Sequence, residues 1–255
     1  VGSGGLGSGP VGSEPFGSGP VGLAHRGGAK EEFENSPSAF QRVAEMGLRF
    51  VETDVRATID GHAVVFHDAT LERTTDAVGS LRALPLAQVT AARLGNGDHP
   101  LTLAQALARW PDLRFNVDIK SDDAVLPFLR AVDAADAWPR VCAASFSSAR
   151  LRRLRALAGS RLATSMGTAE VVRLVLGAGR HPAAVAVQVP RHSGHFPVVT
   201  GSFVRRAHAR GLLVHVWVVD DAAEMEQLLD LGVDGIITDR PSVLREVFRR
   251  RGLRP

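Results

Sequence analysis

Short apolar, β-rich runs alternate with helix-like segments along nearly the whole chain, and this alternation leaves few folds open. The runs are VGLAH (21–25), RFVETDV (49–55), LRFNVDIK (113–120), VCAASF (141–146), RLATSM (161–166), AVAVQV (184–189), LLVHVWVV (212–219) and GIITD (235–239). Between them lie stretches such as SPSAFQRVAEMG and AEMEQLLDLG, whose apolar residues recur with the 3.6-residue period of a helix. Ser36 before Pro37 suits the N-cap and first turn of the first such helix, and Gly47 suits its end. A strand followed by a helix returns the chain to the same end of the sheet, so the next strand lies parallel to the last. Eight such strands are the number that closes a (β/α)8 TIM barrel, the expected fold. An open doubly wound sheet is the alternative, but the strand–GxGxxG–helix opening usual in that fold is absent from the sequence.

One run breaks the rhythm. HAVVFHD (62–68) follows the second strand after only RATIDG, too short a connection for a helix. Asp60-Gly61 is a strong hairpin turn, so the run is expected to fold back antiparallel as a small β-hairpin insertion after the second strand. A two-residue turn centred on Asp60 and Gly61 brings His67 back to the neighbourhood of Asp54.

Residues 1–20 repeat GSGPVG and offer little to bury, so they are expected to form a flexible leader before a single barrel domain over 21–255. The 255-residue length suits one barrel. No apolar run approaches a membrane span, so no stable membrane insertion is expected, and a cytoplasmic location is expected unless a leader has been removed. Cys142, the one cysteine, stands in an apolar run and reads as a small buried hydrophobe. Arginine supplies nearly all the positive charge; without tyrosines or interleaved aromatics it reads as solvated helix faces, and no nucleic-acid partner is expected.

The chemistry-bearing residues cluster at the ends of the early strands. Glu52 and Asp54 are two apart, as are Asn116, Asp118 and Lys120, so each set leaves one face of its strand. Carboxylates sharing a face repel unless a proton or cation lies between them. Glu52, Asp54 and Asp118 converge if the two strands are neighbours, and an all-oxygen set favours Mg2+ or Ca2+ over zinc. His25 and His67 suit an acid/base pair, because imidazole titrates near neutrality. Arg26 can grip two phosphoryl oxygens, and Gly27-Gly28 lets the backbone approach closely. Lys120 stands out in a chain with one other lysine, Lys30, and suggests a site for a compact ammonium. Gln188 and Trp217 lie at late strand tips where they can face the same opening, and the loop 189–199 is expected to help shape it. His192 and His195 in that loop read as solvated, and His215 as a hydrogen-bonded core residue.

In this order the motifs resemble the glycerophosphodiester phosphodiesterase family. They are His25-Arg26-Gly27, Glu34-Asn35-Ser36, Glu52-Thr53-Asp54, Asp60-Gly61, His67-Asp68, Asp118-Ile119-Lys120, Trp217 and DGIITDRP over 234–241. The resemblance covers about residues 21–245. It implies hydrolysis of a small-molecule glycerophosphodiester to glycerol 3-phosphate and an alcohol. It also implies His25 and His67 as general acid and base, Glu52, Asp54 and Asp118 as ligands of a divalent cation, and Arg26 and Lys120 as phosphate contacts. The sequence departs from the family pattern in three places: Asp118 for a Glu, Ser36 for a Thr, and the segment Val-Val-Asp-Asp after Trp217, where Thr and Asn are common. The rival readings are a phospholipase-D-like enzyme of the sphingomyelinase D type and a non-catalytic phosphate- or nucleic-acid-binding protein. The first normally needs a disulfide-braced loop that one cysteine cannot supply, and the second gains nothing from clustered acids.

Overall fold

The computed structural model describes residues 16, 19–177 and 184–254. In chain order the elements are β1 (Val21–His25), α1 (Pro37–Glu45), β2 (Phe50–Ala57), β3 (Ala63–Val65), α2 (Leu86–Ala91), α3 (Leu103–Arg109), β4 (Arg114–Ile119), α4 (Val125–Ala134), β5 (Val141–Ala144) and α5 (Ser148–Ala158). They continue with β6 (Ala163–Thr164), α6 (Thr168–Val175), β7 (Ala186–Pro190), β8 (His192–Ser193), β9 (Phe196–Pro197), α7 (Gly201–His208), β10 (Leu213–Trp217), α8 (Ala222–Asp230), β11 (Gly235–Thr238) and α9 (Pro241–Arg250). The strands β6-β5-β4-β2-β1-β11-β10-β7 are parallel neighbours in that order. A parallel bridge between Ser165 and Ala186 joins the two outer strands. Across that seam the Met166 N–H donates to the Ala186 carbonyl and the Val185 N–H to the Thr164 carbonyl, both at 2.9 Å. The expected (β/α)8 barrel is thus formed.

Local chemistry sets the helix starts. The Ser36 hydroxyl accepts from the Ala39 N–H at 3.1 Å, so serine caps α1 as a threonine would. Thr102 and Gln105 form a reciprocal capping box at α3. Alternate strand residues point outward into two buried apolar clusters that pack the helices: one under α1, α3, α4 and α5, the other under α6 to α9.

Inside the barrel the floor is apolar, built from Val21, Leu23, Phe50, Cys142, Ala186 and Ile237. Phe16 joins this cluster at 3% exposure, its ring edge-on to His215 with centroids 4.5 Å apart. Phe16 is thus one residue of the 1–20 stretch that is buried; residues 1–15, 17 and 18, on which the expectation of a flexible leader mainly falls, lie outside the described residues. Cys142 is buried in the floor, and burial pushes its thiol well above the usual range. Above the floor an amide layer crosses the barrel. The Gln188 amide donates to Asn116 Oδ1 at 2.9 Å and lies 3.3 Å from His215 Nδ1. His215 Nε2 has no hydrogen-bond partner among the described residues, so within them this histidine is a core residue satisfied on one side only. Burial pushes its pKa down to about 4 and keeps the ring neutral.

The hairpin after β2 is present, with its register shifted by one residue from a two-residue turn: Val55 pairs with Val65 and Ala57 with Ala63. The Gly61 N–H donates to the Thr58 carbonyl at 3.0 Å and the Thr58 N–H to the His62 carbonyl at 3.0 Å, which closes a three-residue loop. Gly61 takes the left-handed position that such a loop ends on, at φ 79°. The insertion is also larger than a hairpin. It continues through α2 to Thr102 over its own small core of Val64, Phe66, Leu71, Leu81, Val89 and Leu94.

Candidate active site

Parallel register decides which side chains meet at the mouth. His25 pairs with Glu52 across β1 and β2, Glu52 with Asn116, and Asp54 with Asp118 across β2 and β4. These residues therefore share the inward face of three adjacent strands. The Phe66 N–H donates to the Asp54 carbonyl at 3.0 Å, which returns the end of β3, and His67 after it, to the same rim. His25, Arg26, Glu52, Asp54, His67, Asp118, Lys120, Gln188 and Trp217, all singled out from the sequence, line one cleft of about 500 Å3. A larger cavity of about 690 Å3, lined by Arg49, Arg109 and Asp112 among others, touches none of them.

Both histidines are fixed from behind by a carboxylate. His25 Nδ1 lies 2.6 Å from Asp239 Oδ1, and His67 Nδ1 lies 2.6 Å from Asp68 Oδ1. A carboxylate accepts, so each Nδ1 carries the hydrogen and each Nε2 is left for the cleft. Asp239 is held in turn by its N–H, which donates to Asp220 Oδ1 at 2.8 Å, while Lys30 grips Asp220 Oδ2 at 2.7 Å. Asp220 occupies one of the positions after Trp217 that depart from the family pattern. Burial opposes a charged His25, but the neighbouring Glu52 and Asp239 outweigh it and raise the imidazole's pKa.

The glycines after Arg26 serve packing. A Cβ at Gly27 would meet the Ala39 Cβ at 2.6 Å, and one at Gly28 would meet the Pro241 ring at 2.7 Å. The tight turn also forces Arg26 to φ 50° and Asn35 to φ 55°, joined by the Asn35 N–H donating to the Arg26 carbonyl at 2.8 Å. Such strain is tolerated where surrounding bonds over-determine the geometry. Here the Asn35 amide donates to Asp54 Oδ2 at 2.9 Å and its oxygen accepts from the Thr53 hydroxyl at 2.7 Å.

A chain of ion pairs runs across this side of the cleft. Asp68 binds Arg73, Arg73 binds Glu34, and Arg26 lies 3.2 Å from Glu34 and 3.3 Å from Asp54. Lys120 Nζ ends the chain, 2.8 Å from Asp54 and 2.7 Å from Asp118. Hydrogen bonding to Arg73 holds Asp68 down at about 2. Burial would raise Asp54, but Lys120 and Arg26 outweigh it and lower its pKa; burial dominates at Asp118 and raises it. Glu52 differs from both. Its Oε2 accepts from the Arg26 N–H at 3.2 Å and lies 3.8 Å from His25 Nε2. Burial, and then the charge of Asp54, push its pKa up to about 7.

Three buried carboxylates, one of them raised this far, have the oxygen-only chemistry a hard divalent cation requires. Among the described residues no three acids or imidazoles stand together as a ligand cluster. Lys120 bridges Asp54 and Asp118, and its ammonium would have to leave at least one of them for both to ligate.

Reading the sequence left several contributors unassigned. Asp68 had a local signal, since it follows His67 directly. Glu34 and Asn35 lay within a quoted motif. Asp239 is 214 positions from the histidine it serves, and only the closing of the barrel brings them together. Phe146 and Val172, which also line the cleft, carry no motif at all, and Val218 stood out only as part of the Val-Val-Asp-Asp departure after Trp217.

Comparison with known proteins agrees with the geometry. The model of the glycerophosphoryl diester phosphodiesterase family matches residues 25–243. The chain is 40% identical over 240 residues to the "Probable glycerophosphodiester phosphodiesterase 2" of Mycobacterium tuberculosis, covering 90% of this chain and 91% of the relative. It is 30% identical over 244 residues to a glycerophosphodiester phosphodiesterase of Caldanaerobacter subterraneus, covering 90% and 98%. An Oleispira antarctica phosphodiesterase, solved in complex with the product sn-glycerol-3-phosphate, shares the fold with a TM-score of 0.79 at 22% identity, over 91% of this chain and 97% of that one. With the family model matching most of the barrel and its motifs meeting in one cleft, the chain belongs to the glycerophosphoryl diester phosphodiesterase family.

Proposed function

We propose that the protein hydrolyses a glycerophosphodiester to glycerol 3-phosphate and an alcohol, with His25 and His67 exchanging the protons. The family assignment makes the chain a phosphoric diester hydrolase. The observation that carries the two-histidine reading is the pair of imidazoles in one cleft, each with Nδ1 on a carboxylate at 2.6 Å. Nε2 of one ring takes the proton of the attacking hydroxyl as its oxygen bonds to phosphorus. The bond from phosphorus to the leaving oxygen breaks, and that oxygen receives its proton from Nε2 of the other ring. The attacking hydroxyl belongs either to water or to the neighbouring glycerol carbon; in the second case a cyclic phosphate forms and water opens it with the roles reversed. Asp239 and Asp68 hold the tautomers and stabilise each imidazolium as it forms.

Arg26 and Lys120 supply positive charge for the non-bridging phosphoryl oxygens. Glu52, Asp54 and Asp118 would hold a divalent cation, Mg2+ or Ca2+, whose chemistry is to neutralise charge building on the phosphoryl group. Lys120 and Arg26 are already at the acids that would hold it, so substrate and cation would rearrange ion pairs within the cleft rather than create a site.

The test is direct. Purified protein with Mg2+ or Ca2+ is incubated with glycerophosphocholine, glycerophosphoethanolamine and glycerophosphoglycerol. Equimolar glycerol 3-phosphate and alcohol are expected from at least one of them; release of neither product from any diester rejects the proposal.

A further inference from the structure

Across the cleft from the ion pairs stands a wall of Phe146, Met166, Val171, Val172, Trp217 and Val218. Every charged residue lining the cleft lies on β1, β2 or β4 or just beyond β1, β3 or β4, and none lies on this wall. Phe146 is 63% exposed, Val172 50% and Val218 37%. Single exposed apolar residues need no explanation, but a contiguous set facing a cleft marks a binding surface. The polar groups nearby are largely spoken for: the Ser145 hydroxyl donates to the Ile119 carbonyl at 3.0 Å, and the Gln188 amide is paired with Asn116.

We infer that the alcohol leaving from the diester carries an apolar chain, which lies on the Phe146–Val172–Val218 wall while its phosphate sits among the charges opposite. The inference rests on the hydrolase reading above and goes beyond it by naming the class of alcohol. A charged end and an apolar end within one cleft of about 500 Å3 match a small amphiphilic ester. A quaternary ammonium would want the faces of several rings around it. Here the wall holds two rings, Phe146 and Trp217, set edge to face at 5.8 Å, so they do not turn parallel faces on one point of the cleft as a cage for a cation would. The remaining wall is aliphatic, as a hydrocarbon chain requires.

The experiment compares glycerophosphoethanol with glycerophosphohexanol, whose leaving alcohols are chemically alike and differ by four methylenes. Both are monomeric in solution, so no lipid surface takes part. A fully buried methylene is worth roughly fourfold in binding, so burying fewer than two of the four gives about tenfold. The expected result is a kcat/KM at least about tenfold higher for the hexyl ester, carried mainly by KM. The double variant Phe146→Ser/Val172→Ser should shrink that ratio below about threefold, and Phe146→Leu should keep it. Equal kcat/KM for the two esters, or a ratio that survives the double variant, overturns the inference. So does a hexyl preference that appears only when the ester is embedded in phosphatidylcholine vesicles, which would give the wall to a membrane. If glycerophosphocholine is cleaved with no preference for the hexyl ester, the hydrolase reading stands and the apolar alcohol falls. If no diester is cleaved, both fall.

Discussion

On one side of the barrel mouth, β1, β2, β4 and the turn after β3 contribute His25, Arg26, Glu52, Asp54, His67, Asp118 and Lys120; on the other, β5, α6 and β10 lead into Phe146, Val172, Trp217 and Val218. The first side is over-connected. Its side chains are ion-paired from Asp68 through Arg73, Glu34, Arg26 and Asp54 to Lys120, and several are buried. Buried charge networks are weak contributors to stability, because desolvation offsets most of the attraction. The second side is under-connected, with large apolar surface left in water. Each is unsatisfied in its own way: Glu52 is a buried acid raised to about 7 without a Lys or Arg side chain on it among the described residues, and Phe146 is an uncovered ring. A folded core removes such mismatches, so their survival on facing sides of one cleft points to binding and catalysis.

If that division of labour is right, disturbing the charged side costs turnover. The largest expected effect is loss of the cation: chelation should lower hydrolysis by at least about 100-fold, and Mg2+ or Ca2+ should restore it. Glu52→Gln should show the same loss. Its melting temperature in chelator should be unchanged or higher, because one of three mutually repelling carboxylates is gone. Activity assays and thermal melts on the same samples check both halves. A next, smaller effect concerns the acids behind the rings. Asp239→Asn and Asp68→Asn should each lower kcat by about 10- to 100-fold with little change in KM, since both acids touch imidazole from the side away from substrate. A change confined to KM would place these acids in binding instead.

The smallest effect concerns stability beneath the mouth. His215 has a folded pKa of about 4 against an ordinary 6.5, so its contribution is complete above 6.5 and is lost as pH falls from there towards 4. The loss amounts to about 3 kcal/mol. His215→Leu, which cannot charge, should remove that part of the acid sensitivity, as measured by denaturant unfolding at pH 7 and pH 4.5. An unchanged difference between the two pH values would mean that other groups carry the acid response.

The charged side was legible in the sequence because strand period and motif order act locally. Glu52 and Asp54, or Asp118 and Lys120, share a face whatever the rest of the chain does, and the parallel pairing of β2 with β4 brought the two sets together. The hairpin was legible to within one residue. The slip arose because Gly61 ends a three-residue loop where a two-residue Asp-Gly turn was expected. Asp239 behind His25 was not legible as a partner, because its position depends on barrel closure rather than spacing. The apolar wall escaped for a different reason. Phe146 lies in the run VCAASF, and nothing local distinguishes its exposed ring from the buried Cys142 four positions earlier. Phe16 was hidden by its Gly/Ser/Pro surroundings, yet it closes the barrel floor against Phe50 and His215.

The central claim is that two carboxylate-backed imidazoles on the charged side move the protons. Single-turnover release of glycerol 3-phosphate by His25→Ala and by His67→Ala, each checked for an intact melting transition, tests it most directly. A loss of at least about 100-fold in both is predicted. A rate within a few-fold of the parent in either folded variant would contradict the claim and remove that ring from the chemistry.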